Sequence, residues 1–242
     1  MNFKDIVAEY AYKTELHSHT SPVSACGQVL AEDSVKIHKN AGVNTLVITN
    51  HLTDYHLVGR TTEEAAEYYV SDYYKALEAA KGTDTCVALG CELKFAGTKN
   101  DYLIYGICPD DIEKIVSYVP RSIEEFYSDF KNDKNVIIHA HPRRANMDPT
   151  PYGYVDGLEV FNMHPGLEAK VVYTAKDAVD RGLLVTGGSD FHVCHPTYTK
   201  EANCVMRTRH KLRDSYDVAE AIKSKDVIFD IFGNIILPYF QA

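Results

Sequence analysis

Histidines and carboxylates stand in short clusters at intervals along this chain. Neutral imidazoles and carboxylates are the ligands that Zn²⁺, Mn²⁺ and Fe²⁺ favour. Two such ions about 3.5–4 Å apart form a common hydrolytic site. We therefore interpret the clusters as candidate metal ligands of a hydrolytic centre. The clusters are His17-Ser18-His19, Asn50-His51, Glu92, His139-Ala140-His141, Glu159 with Asn162 and His164, and Asp190-Phe191-His192.

Each cluster lies at or near the end of a predicted strand. Short β-branched and apolar runs alternate with helical segments, which predicts a mostly parallel sheet of about seven strand-plus-connection units. Two of the helices are expected to begin at capping boxes, at Thr61 and Ser122. In β/α barrels the active site lies at the carboxyl ends of the strands, so the clusters should meet in space. Residues i and i+2 of a strand face the same side, so each His-x-His or Asp-x-His pair should point together. The predicted strands are 14–20, 45–49, 86–89, 102–107, 136–138, 157–161 and 183–186.

The composition predicts one globular domain that spans 1–242, a length at which α/β barrels form single domains. A net charge of −9 argues against a stable nucleic-acid partner, because such partners need basic surfaces. No apolar run approaches the ~20 residues that span a bilayer, and the first residues lack the apolar core of a signal peptide. The six cysteines include no C-x-x-C pair. We therefore expect a cytoplasmic protein without a membrane partner, and the sequence indicates no oligomeric state.

Five motifs together resemble the PHP (polymerase and histidinol phosphatase) family. They are H-x-H at 17–19, N-H at 50–51, G-x-E at 90–92, A-H-P at 140–142 and G-S-D-x-H at 188–192. This resemblance implies a distorted (β/α)₇ barrel, two or three divalent ions (Zn, Mn or Fe) and phosphoesterase activity. It implies that Glu92 bridges two ions. The implied ligands are His17, His19, His51, Glu92, His141, Asp190 and His192, and we add His139 and His164 as candidates that would complete a coordination shell.

The function that we predict is hydrolysis of a small phosphate ester by a metal-activated hydroxide, as in a histidinol phosphatase or a nucleotide phosphatase. Asp190 or His192 would hand a proton to the leaving group, and Glu92 would share the catalytic centre. The guanidinium fork suits a phosphate oxygen. The candidate substrate-binding residues are Arg143, Arg144 and Lys94.

The sequence departs from the family pattern at three places. Asn50 stands where Asp is usual, segment 21–27 lacks the usual Asp or His, and segment 100–105 lacks a further His. In the second segment, Cys26 is either a substitute ligand or an inert thiol. Sites with two and with three ions therefore both stay open. His195 is expected to support the site or to have no role in it.

Two other functions compete with the phosphoesterase hypothesis. An amidohydrolase-type enzyme acting on a C–N or C–O bond would use His139 or His141, His164 and Asp190. Such enzymes typically carry a bridging lysine, whereas this chain has Glu92 at the comparable place. A catalytically silent, metal-binding domain is the second alternative.

Overall fold

The computed structural model describes residues 3–164, 168–193 and 203–239, and His195 lies outside them. Within these ranges the chain forms seven α-helices, twelve strands and two 3₁₀ turns. The helices are α1 (Phe3–Glu9), α2 (Ala31–Asn40), α3 (Thr62–Ala80), α4 (Pro109–Tyr118), α5 (Ile123–Phe130), α6 (Val171–Arg181) and α7 (Ser215–Ser224). The strands are β1 (Tyr12–Glu15), β2 (Thr45–Ile48), β3 (His51–Leu52), β4 (Cys86–Leu89), β5 (Cys91–Lys94), β6 (Asp101–Tyr105), β7 (Val136–His139), β8 (Gly157–Asn162), β9 (Leu184–Gly188), β10 (Cys204–Thr208), β11 (Ile228–Ile231) and β12 (Asn234–Ile236). The 3₁₀ turns are Asp54–Leu57 and Tyr152–Tyr154.

The strands form two six-stranded sheets. One has the order β12-β11-β10-β1-β2-β4 and the other the order β3-β5-β6-β7-β8-β9. The pairs within β1-β2-β4 and β7-β8-β9 are parallel, whereas β6 is antiparallel to both of its neighbours. Strands β10, β11 and β12 extend the first sheet by antiparallel pairing. The predicted α/β class is therefore confirmed, but the expected mostly parallel sheet is wrong and a closed (β/α)₇ barrel is not confirmed.

The two sheets adjoin at two seams. At the first, β2 continues into β3 and β4 into β5 across short breaks, with the amide of Gly90 donating to the carbonyl of Ile48 at 2.9 Å. A Cβ at Gly90 would lie 2.7 Å from Cγ2 of Thr49, so only glycine permits this close approach. At the second seam, Ser18 bridges to Phe191. Both seams carry candidate ligands, because each break falls beside one of the histidine clusters.

The core explains why the strands read as apolar runs. All four residues of β2 and all five of β6 are buried, as expected for strands covered on both faces. Helix α3 begins at the predicted capping box, in which Thr61 and Glu64 satisfy each other's backbone amides. It buries Tyr69 and Ala76 against the sheets. Full burial of a large apolar side chain adds roughly 1.5–3 kcal/mol to the free energy of unfolding. No helix in the described ranges has the length and apolar character needed to cross a membrane.

Candidate metal centre

Two buried histidines and two carboxylates face one another near the ends of β1, β4 and β9. Nε2 of His17 lies 3.1 Å from Nε2 of His19. Oε2 of Glu92 lies 3.4 Å and 3.2 Å from these two nitrogens. Oδ1 of Asp190 lies 3.5 Å and 3.3 Å from the same nitrogens. Four ligand atoms from three separate parts of the chain thus surround one point, as the sequence predicts.

Glu92 lies between this group and a second set of ligands. Its Oε2 is 2.8 Å from Nδ1 of His51, and its Oε1 is 3.0 Å from Nε2 of His141. Oδ2 of Asp101 lies 3.9 Å from the same nitrogen of His141. Ligand atoms of His51, Glu92 and Asp101 are close enough to hold one ion. The two oxygens of Glu92 therefore face different partners, which is the arrangement that a bridging carboxylate requires.

A third group consists of His19, His51 and His192, whose ligand atoms also lie close enough for one ion. The ring of His19 is 4.1 Å from that of His192 and 4.4 Å from that of His51, between centroids. Nδ1 of His192 donates to the carbonyl of Asp190 at 2.8 Å, which leaves Nε2 with its lone pair. Burial lowers the pKa of His192, which favours the neutral imidazole that metals bind.

The donor atoms fit divalent cations. Oε2 of Glu92 and Oδ1 of Asp101 are buried and make no well-aligned hydrogen bond with the described residues, although Nδ1 of His51 lies 2.8 Å from the former and the ammonium of Lys94 lies 3.4 Å from the latter. An unsatisfied buried polar group costs roughly 1–3 kcal/mol, which a bound ion would offset. Burial alone would raise the pKa of Glu92, but His51 and His17 outweigh it and hold that pKa well below its ordinary value. This shared residue is therefore a carboxylate, as a ligand must be.

Further buried groups fix the orientation of the ligands. Glu159 accepts from Nδ1 of His17 at 2.8 Å and from the backbone amide of His141 at 3.0 Å. Nδ1 of His19 donates to Oγ of Ser24 at 3.1 Å, and Ser24 donates to Oδ1 of Asn50 at 3.0 Å. Each bonded ring nitrogen leaves Nε2 facing the cluster. These bonds are typical of metal-binding histidines.

His139 does not face the cluster, although its partner His141 does. Nδ1 of His139 lies 3.1 Å from Oγ1 of Thr150, and its ring stacks on Tyr102. The expectation that i and i+2 point together fails here, because β7 ends at His139 and His141 has left-handed backbone, with φ 31°. Burial lowers the pKa of His139 to about 3, so this side chain is neutral.

The candidate substrate-binding residues lie in different surroundings. Arg144 donates from Nη2 to Oδ2 of Asp190 at 2.6 Å and lies at the rim of the cluster. Arg143 binds the carboxylate of Asp177 on α6 and is turned away from the ligand atoms. Lys94 is 37% exposed beside Asp101, at the mouth. Among these three residues, Arg144 has the most direct access to the centre.

His164 lies near the cluster but outside the three groups. Its ring centroid is 5.2 Å from that of His192, in an edge-on arrangement. Its backbone amide donates to Oδ1 of Asn162 at 3.1 Å. The structure therefore puts His164 next to the outer histidines, at a position half open to solvent.

Sequence reasoning missed Asp101, and it placed Glu159 in one of the clusters without giving it a role of its own. Asp101 begins β6, and because β6 is antiparallel, its first residue lies at the edge where β5 and β7 end. The short connection 95–100 could have indicated the direction of β6, because a link of this length between strands favours an antiparallel hairpin over a parallel crossover. Cys26 also belongs to this neighbourhood, because it lines one surface cavity with His51. Burial raises the pKa of its thiol, but His192 and His51 outweigh this and lower that pKa to about 6.

No protein-family model and no curated protein matches this sequence. Among solved structures, the chain resembles a two-domain protein from Bacteroides vulgatus that contains a predicted PHP-like metal-dependent phosphoesterase. That match has a TM-score of 0.60 and 16% identity, and covers 91% of this chain and 64% of the other. An amidohydrolase from Chromobacterium violaceum matches with a TM-score of 0.56 and 15% identity, over 93% and 98% of the two chains. The chain thus spans less than two thirds of the first protein. At the level of the fold, the resemblance predicted from the motifs is confirmed.

Proposed function

We propose that this protein is a metal-dependent phosphoesterase that hydrolyses a small phosphate ester. The observation that carries the proposal is the sharing of Glu92 between two sets of ligands, with Arg144 at the rim. A carboxylate between two cation positions and a guanidinium beside them suit a phosphoryl group, which has several charged oxygens to neutralise. We extend the proposal to the architecture: the two sheets, adjoining at both seams, would form the distorted (β/α)₇ barrel of the PHP type.

The cofactors in this proposal are two or three Zn, Mn or Fe ions. His17, His19, Glu92 and Asp190 would hold one, and Glu92, Asp101 and His141 or His51 would hold another. Divalent ions at such positions polarise a phosphoryl group and lower the pKa of water. His17 would lose a proton on binding, because three carboxylates (Glu159, Asp190 and Glu92) outweigh burial and hold its pKa well above the ordinary value.

The protein's own side chains would bind and orient the ester. Arg144 would move its donor from Asp190 to a non-bridging phosphate oxygen, as its position at the rim permits. The side chain of Lys94, at the mouth, would contact the remainder of the substrate. Asp190 is held as a carboxylate: burial raises its pKa, but His17 and His19 outweigh this and lower it well below its ordinary value. A carboxylate with so low a pKa is a weak base, so in this proposal Asp190 holds a cation and His192 is the favoured candidate for passing a proton to the leaving alcohol.

The experiment is a panel of phosphate monoesters and diesters, assayed with added Zn²⁺, Mn²⁺ or Fe²⁺. We expect turnover of at least one ester, and Arg144→Ala should lower kcat/KM about 10- to 100-fold, because a hydrogen bond to a charged group contributes roughly 1.5–3 kcal/mol. Arg121→Ala is the matched control, since Arg121 pairs with Glu125 on α5, away from the site. Absence of turnover by the metal-loaded protein on every ester would refute the proposal.

The alternative is hydrolysis of a C–N or C–O bond, and the likeness to the Chromobacterium violaceum amidohydrolase supports it at the level of the fold. The same loaded protein should therefore be assayed on amides and lactones. Turnover restricted to those substrates would favour the amidohydrolase alternative. Metal binding without turnover of any substrate would favour the silent domain.

A further inference from the structure

Cys26 lies in a loop that is tied to three of the candidate ligands. Within this loop, 21–28, Oγ of Ser24 accepts from Nδ1 of His19 at 3.1 Å and from the backbone amide of His51 at 2.9 Å. The amide of Gln28 donates to the carbonyl of His192 at 2.8 Å. The loop is therefore held by the residues whose imidazoles form the outer histidine group, namely His19, His51 and His192.

The backbone beside Cys26 is tightly packed in a way that only glycine allows. A Cβ at Gly27 would lie 2.9 Å from the carbonyl carbon of Thr20. The amide of Gly27 also donates to the carbonyl of Ser24 at 3.0 Å, which closes the turn. This turn fixes the position of Cys26 relative to the histidines, so the thiol's placement follows from the fold of the loop.

The thiol of Cys26 lies beside the outer histidine group. Cys26 and His51 line the same surface cavity together with Asp101 and Arg144. Burial raises the pKa of this thiol, but the nearby imidazoles of His192 and His51 outweigh it and lower that pKa to about 6. Nδ1 of His51 is buried and lies 2.8 Å from Oε2 of Glu92, so this imidazole stands between the inner groups and the outer histidine group. A thiol and two imidazoles, which commonly bind zinc or iron, thus lie near one another at the opening of the centre.

We propose that Cys26 supplies a thiolate ligand to a zinc or iron ion held with His51 and His192. The inference rests on the proposed function, in requiring that this centre bind divalent ions. On binding, the thiol releases its proton to solvent and sulfur coordinates the ion, with no change in oxidation state. The inner positions, where carboxylates and imidazoles are the donors, suit Mn²⁺ as well, whereas a sulfur ligand selects softer ions. The outer position would therefore differ from the inner ones in metal preference.

The test uses the full chain loaded with Co²⁺ and, separately, with Zn²⁺. Cobalt should give a near-ultraviolet thiolate charge-transfer band, and X-ray absorption on the zinc form should show a sulfur shell at about 2.3 Å beside nitrogen and oxygen at about 2.0–2.2 Å. Both signals should be lost in Cys26→Ser. They should persist in Cys108→Ser, where serine suits the N-cap of α4, and in Cys194→Ser, which tests the thiol nearest to His192 in sequence.

Each outcome decides the matter. Absence of the sulfur signals in the unmodified protein, or their persistence in Cys26→Ser, would overturn the proposal. If Cys26→Ser does not fold, Cys26→His replaces it: we expect retained metal content without sulfur, and retained sulfur signals would again overturn the assignment. Ester hydrolysis is measured in parallel. If the sulfur signals are lost in Cys26→Ser but the unmodified protein hydrolyses no ester, the thiolate ligand is supported and the phosphoesterase function is refuted. If esters are hydrolysed but the sulfur signals persist in Cys26→Ser, the function is supported and the thiolate ligand is refuted.

Discussion

Nδ1 of His17 donates to Oε1 of Glu159 at 2.8 Å, and both side chains are fully buried. The other oxygen of Glu159 accepts from the backbone amide of His141, so one carboxylate on β8 orients ligands that follow two other strands. The bond fixes the tautomer of His17 that directs Nε2 to the cluster.

Glu159→Gln should therefore weaken metal binding while the fold is retained. Groups that support metal ligands typically contribute 10- to 100-fold in affinity, and we expect a loss of that size. The measurement is calorimetric titration of the metal-free protein with Zn²⁺ or Mn²⁺. Glu113→Gln, an exposed carboxylate on α4, is the control and should bind like the unmodified protein. Equal affinity in the two variants would contradict the role given to Glu159.

His139 and His141 offer a direct comparison of two histidines that are two positions apart. His141→Gln should lower the metal content of the purified protein, because it removes a nitrogen that lies 3.0 Å from Glu92. His139→Gln should leave the metal content unchanged and lower only the free energy of unfolding, since it breaks the contact with Thr150. Elemental analysis and denaturant unfolding measure the two effects. A loss of metal in His139→Gln would mean that this side chain is a ligand after all.

Removing metal should destabilise the protein. An ion that binds only the folded state adds about 2.7 kcal/mol to the free energy of unfolding at one hundred times its dissociation constant. Thermal melts with chelator and with added Zn²⁺ or Mn²⁺ should therefore give a higher Tm for the loaded protein. Glu92→Gln should reduce this increase, because both sets of ligands share that carboxylate, whereas the exposed Glu78→Gln on α3 should preserve it. An unchanged Tm on chelation would be inconsistent with a buried ion.

His56 should make stability dependent on pH. Its Nδ1 accepts from the amide of Thr53 at 3.3 Å, and its Nε2 donates to the carbonyl of Val23 at 3.1 Å. Burial lowers the pKa of His56 below its ordinary value of 6.5. Below pH 6.5, His56 is therefore protonated in the unfolded chain but stays neutral in the folded chain until its lower pKa is reached. This stabilisation is complete above pH 6.5 and is lost as the pH falls towards the folded pKa.

The check on His56 is the difference in free energy of unfolding between the unmodified protein and His56→Gln on either side of pH 6.5. The difference should shrink on the acid side, since the variant lacks the titrating group. The remaining histidines are common to both proteins and largely cancel. A difference that stays constant across this range would exclude His56 as the cause.

The sequence predicted most of the side chains that meet, but it did not predict Asp101 or the orientation of His139. The position of the clusters at strand ends predicted that His17, Glu92 and Asp190 would meet, because parallel neighbours end at one edge. In the structure these three side chains lie close together. Asp101 was missed because the pattern of apolar runs carries no information on strand direction, and β6 runs opposite to its neighbours. The orientation of His139 depends on a backbone change at His141 that no periodicity reports.

Two of the candidate ligands have a backbone conformation that is unfavourable for a residue with a side chain. His141 and Asp190 both have left-handed conformation, with φ 31° and 53°. Such geometry costs an ordinary L-residue roughly 1–2 kcal/mol, and glycine adopts it without that cost. Replacement by glycine would relieve this backbone cost, but it would leave buried partners unpaired, since Arg144 donates to Asp190 and Glu92 lies 3.0 Å from Nε2 of His141. The strain at both positions is therefore the cost of placing these two side chains in the cluster.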